Sequence, residues 1–229
     1  MMERQPLERP VLAVDVVLFA IERAQLQVLL LRRQEEPFQH AAALPGVAVR
    51  SDETLENAAK RALRDKAHLT EERDAIAHLE QLAAFDGLFR DPRGRTVSVA
   101  YLGLLRNKPA HRADLFWKPV HDITPHSLPF DHAEIVETAV IRLQGKLRYT
   151  TIAKGFVNET FRIDDLQDVY EAILGRTVNR ANFRAKLLKM RIIEQVSILT
   201  DAVGKYGGRP PHLYRFAHHA VEIVERELL

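Results

Sequence analysis

The sequence predicts an α+β protein: a mixed α/β sandwich followed by a winged helix-turn-helix. Three observations predict it. Val- and Leu-rich runs near the N-terminus alternate with amphipathic stretches, as the strands and helices of a layered sandwich do. The character of the chain changes near Gly145, so the division falls between residues 1–145 and 146–229. Beyond that point the order is helix, turn, helix, strand, Gly-rich loop, strand. At 229 residues and 46% apolar, the chain can bury a sizeable core in one large or two small domains.

Val11 to Phe19 and Leu26 to Leu31 read as a β-hairpin closed by ERAQ. Thr54 to Leu63 spaces Leu55, Ala58, Ala59, Ala62 and Leu63 as a helix does, with Ser51, Asp52 or Thr54 to cap it. RDPRGR reads as a turn into a strand over Val97 to Leu105, and His132 to Leu143 as a helix behind the N-cap Asp131. GKLRYTTIAKGF reads as a linker. Asp164 to Leu174 places Leu166, Val169, Tyr170, Ile173 and Leu174 on one face, and Gly175 stands where a left-handed stop belongs. A second helix over about Arg180 to Met190, strands over Glu194 to Thr200 and HLYRF, and a last helix over Val221 to Leu228 complete the expectation.

Composition narrows the function classes. The chain has no cysteine, which excludes a disulfide framework or thiolate metal site and fits a cytoplasmic location. The longest apolar run, Val11 to Ile21, is short and broken by Asp15, so no membrane span is expected. Charge is uneven. Residues 142–229 hold 15 Lys+Arg against 10 Asp+Glu, and the preceding residues hold 18 against 21. A basic C-terminal part points to a polyanion partner.

Residues 44–69 read LPGVAVRSDETLENAAKRALRDKAHL. Glu53 and Arg61 stand at the spacing of G-x5-E-x7-R-E-U-x-E-E-x-G-U, the Nudix box, with U aliphatic. Val47 takes the place of the first Gly, Ala62 that of a Glu, Asp65 and Lys66 those of the paired Glu residues, and His68 that of the last Gly. Magnesium needs several oxygen ligands, and positions 62, 65 and 66 share one helix face. Here that face offers a methyl group, one carboxylate and a cation. No catalytic residue and no metal ligand set is therefore assigned, and no cofactor is required. A pocket so altered can still take a diphosphate. Its candidate ligand residues are Arg33, Arg61, Arg90 and Arg93 for phosphates, Glu53 as partner to Arg61, and Phe38 for a base.

The second C-terminal helix carries the candidate DNA contacts. VNRANFRAKLLKMR holds five basic residues and no acidic one. At about 100° per residue, Phe183, Leu187 and Met190 form a core stripe, with Arg180, Arg184 and Arg191 beside it and Lys186 and Lys189 on the other flank. Arg can read guanine and Asn182 adenine in the major groove. Lys205 and Arg209 on GKYGGRPP would follow phosphates as a wing does. The histidines His121, His126, His132, His218 and His219 show no zinc spacing and read as capping, packing or surface residues.

Taken together, VDVVLF, LLLRR, the altered box, RDPRGRTVSVAYLGL, LPFDH, GKLRYT, LQDVYEAILGR, NFRAKLL and GRPPHLYRF resemble the Nudix-related regulators of NAD metabolism, the NrtR family. The resemblance implies a homodimer that represses genes of NAD synthesis or salvage from palindromic operators. It also implies that ADP-ribose or a related NAD-derived nucleotide binds the Nudix part and releases the DNA. Val47 and the AAALPG stretch depart from the family near the pocket. Two rival readings are a weakly active ADP-ribose pyrophosphatase, and a nucleotide sensor whose basic tail binds RNA or protein.

Overall fold

The computed structural model describes residues 9–69, 76–108, 114–198, 212–218 and 221–224. The segment expected to form a wing, with Lys205 and Arg209, and His219 lie outside the described residues.

The first hairpin joins β1 (Val11–Glu22) to β2 (Gln25–Arg32). Arg23 and Ala24 turn it with φ of 51° and 55°. A two-residue turn of this left-handed kind matches the twist of the flanking strands. Short strands β3 (Ala42–Ala43) and β4 (Gly46–Ala48) pair with β2 and β1. Helix α1 (Leu55–Ala67) follows, and Thr54 caps it by accepting the Asn57 N–H at 3.2 Å. Strand β5 (Ile76–Phe85) runs antiparallel to β6 (Thr96–Leu105), and β6 runs parallel to β1. Strand β7 (Leu115–Pro119) closes the other side against β2.

β1 lies in the middle layer, so alternation along it feeds two cores. Val14, Val16, Leu18 and Ala20 face Ala58, Ala59, Ala62, Leu63 and Ala67 of α1. Val17 and Phe19 face the opposite layer, helix α2 (His132–Tyr149), through Ile135, Val136, Ala139, Leu143 and Leu147. The result is the expected α/β/α sandwich.

The expected linker is not one. Helix α2 runs through Gly145 to Tyr149, so GKLRY is its last turn, and Ile152–Phe156 forms a short 3-10 helix. Leu143 and Leu147 are fully buried on either side of Gly145 and hold the helix across it. Asp131 occupies the N-cap position of α2, but its side chain makes no capping bond.

Among the described residues the C-terminal part sets two α-helices against a three-stranded sheet. Strand β8 (Phe161–Arg162) leads into α3 (Ile163–Leu174), which ends at Gly175 with φ 66°. Helix α4 (Arg180–Lys189) is capped by Asn179, whose side chain accepts the Asn182 N–H at 3.0 Å. Strands β9 (Ile193–Ile198) and β10 (His212–Phe216) complete a sheet in the order β8-β10-β9. Arg191 lies beyond α4, in the turn to β9, with φ 55°. It is therefore not on the helix face where the periodicity put it.

One apolar core joins the two parts. Leu166, Val169, Tyr170 and Ile173 of α3 belong to the same buried cluster as Phe19, Val28 and Leu104 of the sheet and Leu147 of α2. Gln144 of α2 also donates to the Ile173 carbonyl at 2.9 Å. The last helix expected from Val221 is absent over 221–224. That segment is extended and returns to the junction, where Thr151 N–H donates to Glu222 O (3.0 Å) and Val224 N–H to Tyr149 O (2.7 Å).

Candidate functional site

A buried ionic cluster sits under the start of β1. Asp15 breaks the apolar run of that strand and accepts from Ser98 Oγ at 2.7 Å and from Arg90 at 3.1 Å. Arg90 also grips Asp131 with two hydrogen bonds of 2.7 and 2.5 Å. His132 Nδ1 accepts the Leu44 N–H at 3.0 Å, which leaves its hydrogen on Nε2, 3.5 Å from Asp15. Burial alone would raise the Asp15 pKa. His132, Ser98 and Arg90 outweigh it and hold the carboxyl at about 2. Arg90, its side chain only 4% exposed, is thus a structural tie among β1, the 86–95 loop and α2, and not a free phosphate ligand.

The Gly of LPG is dictated by this cluster. A Cβ on Gly46 would stand 2.2 Å from Asp15 Oδ1 and 3.0 Å from the Val14 carbonyl. Asp15 cannot move without breaking its bonds to Arg90 and Ser98. Gly46→Ala is expected to cost about 2–4 kcal/mol of folding stability, read as a lower urea midpoint at unchanged slope.

Glu53 and Arg61 are also committed to each other. Arg61 donates to both Glu53 oxygens, at 2.9 and 2.5 Å, and to the Ala48 carbonyl at 2.8 Å. The hydrogen bonds from Arg61, then the Arg50 N–H, hold Glu53 at about 2. The pair pins the loop after β4 to α1. The box face does not stay together either. Ala62 is fully buried in the core, whereas Asp65 and Lys66 are exposed and Asp65 pairs with Arg64 at 2.9 Å. Among the described residues no three His, Asp or Glu side chains converge as a metal cage would require.

Three of the predicted ligand residues do come together, around a residue that sequence reasoning missed. Arg33 lies 5.0 Å and Arg93 5.9 Å from the Phe130 ring, and Phe38 meets that ring edge-on at 5.1 Å. Phe38 is 43% exposed. Phe38 and Phe130 both hold positive φ, of 65° and 57°, a backbone state uncommon for bulky residues and concentrated at functional sites. Arg33 is anchored to the Pro37 carbonyl at 2.9 Å, and Arg93 to Asp91 at 2.7 Å. Burial, then the Arg93 charge, lowers the Arg33 pKa. Two guanidiniums that repel one another beside open aromatic rings form a receptive place for an anionic group next to a flat one. The signal available in the sequence was the FDH of LPFDH, which brings Phe130, Asp131 and His132 to this end of the sandwich.

At the other end of the chain, Phe183 and Leu187 of α4 are buried, and Phe183 packs edge-on against Tyr170 at 4.8 Å. The exposed face carries Ala181, Asn182, Ala185, Lys186 and Lys189. These span about 140° of the helix. The flank expected to hold the reading arginines is engaged within the protein. Arg184 donates to Tyr214 Oη on β10 at 2.7 Å, and Arg180 pairs with Asp164 at 2.6 Å. Arg176 is exposed in the turn between α3 and α4, ahead of the helix on which the sequence pattern places the basic residues.

Comparison with known proteins agrees with this arrangement. The NUDIX domain family matches residues 9–139, and the NrtR DNA-binding winged helix domain matches residues 155–216. The ADPR responsive transcriptional repressor NtrR of Acinetobacter baylyi is 33% identical over 215 residues, covering 91% of this chain and 82% of the relative. The crystal structure of Shewanella oneidensis NrtR complexed with a 27mer DNA has a TM-score of 0.79 and 30% identity, covering 95% of this chain and 99% of that one. An ADP-ribose pyrophosphatase of Methanocaldococcus jannaschii is 28% identical over 56% of this chain and 72% of its own length. No helix among the described residues is long and apolar enough to cross a membrane. The chain therefore belongs to the NrtR family of transcriptional regulators, a NUDIX domain joined to a DNA-binding winged helix.

Proposed function

We propose that this chain represses genes of NAD synthesis or salvage, and that ADP-ribose or a related NAD-derived nucleotide releases it from a palindromic operator. The observation that carries the effector half is the pair Arg33 and Arg93 about Phe130, with Phe38 open beside it. The guanidiniums take the diphosphate and an aromatic ring takes the base. The protein acts as a cytoplasmic homodimer, since a two-fold operator calls for a two-fold reader. The NUDIX part senses the effector and the winged helix holds the DNA. Within the latter, Asn182, Lys186 and Lys189 face the groove, Ala181 and Ala185 allow close approach, Arg176 and Arg191 meet phosphates, and Lys205 and Arg209 extend the contact along the wing. Arg184 holds α4 to β10, and Arg180 exchanges its exposed partner Asp164 for a phosphate.

The effector reading is tested by fluorescence anisotropy of a labelled operator during titration with ADP-ribose. A 100-fold loss of operator affinity corresponds to a preference for the released state of about 2.7 kcal/mol. Unchanged affinity at millimolar ADP-ribose rejects this effector. Asn182→Ala is expected to cost about 1–3 kcal/mol at one base position and relax choice there, while Arg176→Ala weakens all duplexes alike and flattens the salt dependence. Competition with single-base operator variants distinguishes the two.

In this proposal the chain does not hydrolyse its effector efficiently. Buried Ala62, the cation Lys66 and the Glu53–Arg61 pair support that reading. The likeness to an archaeal ADP-ribose pyrophosphatase keeps a second reading open, a weakly active hydrolase. AMP release in magnesium, abolished by Glu53→Gln, would favour the hydrolase.

A further inference from the structure

One face of helix α2 is left uncovered among the described residues. At about 100° per residue, Glu134, Glu137, Ile141, Gly145 and Arg148 fall within about 80° of one another. Ile141 stands at the middle of this stripe and is 62% exposed. The side chains of Glu134, Glu137 and Arg148 are exposed and form no hydrogen bond or ion pair with a described residue. Tyr149, 44% exposed, ends the helix, and beside it Ile223, 80% exposed, bridges Thr150.

Gly145 lies on the same face. A glycine is costly inside a helix, and one that stands there commonly answers to a close neighbour. Among the described residues there is none: a Cβ on Gly145 would meet nothing within 4 Å. The missing side chain opens the helix backbone to something outside the protomer.

The charges on the stripe suit a copy of itself. Glu134 precedes Ile141 by seven residues and Arg148 follows it by seven. Two such helices packed antiparallel about a two-fold axis at Ile141 set Glu134 opposite the partner's Arg148, twice over. Each Glu137 then lies level with the partner's Gly145, and the Ile141 side chains meet at the axis. Seven residues span about 10 Å, so an ion pair closes each end of an apolar centre. A parallel pairing would instead set each charge against its own like.

We propose that this face is the seam between two copies of the chain, packed antiparallel on α2. The inference rests on the homodimer proposed above and names its interface. It leaves the two winged helices at opposite ends of the helix pair, as two half-sites require.

The chain has no cysteine, so a single introduced one reports the seam directly. Under copper-phenanthroline oxidation, Ile141→Cys should form a disulfide-linked dimer, because the two thiols meet at the axis. Arg64→Cys, exposed on α1 in the opposite layer, should not. Sedimentation velocity over a concentration series gives the affinity. Ile141→Glu and Gly145→Leu should each raise the dimer dissociation constant about tenfold or more, with the circular dichroism spectrum unchanged. Glu134→Arg and Arg148→Glu should each weaken the dimer, and the two together should restore it, as a direct pairing across the seam demands. A monomeric wild type overturns the homodimer reading and the seam with it. Dimerisation that survives both Ile141→Glu and Gly145→Leu, an Ile141→Cys chain that stays unlinked, or a double variant no better than its singles overturns the seam alone.

Discussion

Arg90→Met is expected to destabilise the protein by about 3–5 kcal/mol, because it leaves Asp15 and Asp131 without their shared partner. Asp15 is enclosed by the sheet, by His132 and by the backbone of Gly46, so water cannot replace the guanidinium there. Urea unfolding at neutral pH measures the loss. The wild type should also show the cluster in its acid limb. The Asp15 pKa is lowered from 3.8 to about 2. A carboxyl depressed on folding adds stability that is complete above its unfolded pKa and is lost as pH falls through the folded value. Stability should therefore fall between about pH 4 and pH 2, by on the order of 2 kcal/mol from this group. In Arg90→Met that portion of the acid limb should shrink and move upward in pH, since the remaining His132 and Ser98 hold the carboxylate less firmly. An unchanged midpoint and acid limb would remove the cluster from any structural role.

Arg93→Ala is expected to raise the ADP-ribose concentration for half-release of the operator by about 10–100-fold, the worth of charged hydrogen bonds to a phosphate. Operator affinity without effector should stay at the wild-type value, because Arg93 is far along the chain from α4 and its side chain is 58% exposed. Arg93→Lys separates charge from geometry. It retains the cation but not the fork that can hold two phosphate oxygens, so it should fall between wild type and alanine. Asp91 loses a partner in Arg93→Ala but keeps the N–H of residue 93, so the fold is expected to persist, which a thermal melt checks. Equal release by wild type and both variants would move the effector away from Phe130.

The helices that periodicity marked best are where it put them. α1, α3 and α4 each have their apolar residues on one face and a capping side chain or left-handed stop at one end. β5 was not legible. IAHLEQLAAF is rich in Ala, Glu and Gln, which favour helix in isolation, and its strand state is imposed by pairing along β6. The change of character near Gly145 suggests a boundary in the sequence, and a glycine there weakens a helix interior by about 1 kcal/mol. Burial of Leu143 and Leu147 overrides that local cost. In the site, the spacing of Glu53 and Arg61 exposed the box but not what it now does. Whether two such residues meet a ligand or each other depends on how the loop after β4 returns to α1. Phe130 could not be joined to Arg33 from sequence, because they are brought together only when α2 packs on the sheet. Arg184 and Arg180 had the right angular position for groove contact, and only the placement of Tyr214 and Asp164 reveals that they are occupied.

An uninterrupted α2 has one further consequence. Its first residue shares the ionic cluster and meets the Phe130 ring, and its last residue accepts the returning C-terminal segment. Its 18 residues extend for about 27 Å. A helix of that length that keeps its hydrogen bonds would carry a disturbance by pivoting. A nucleotide that shifts Phe130 would tilt the far tip against α3, so the message would arrive as a change of angle with no segment having to melt along the way.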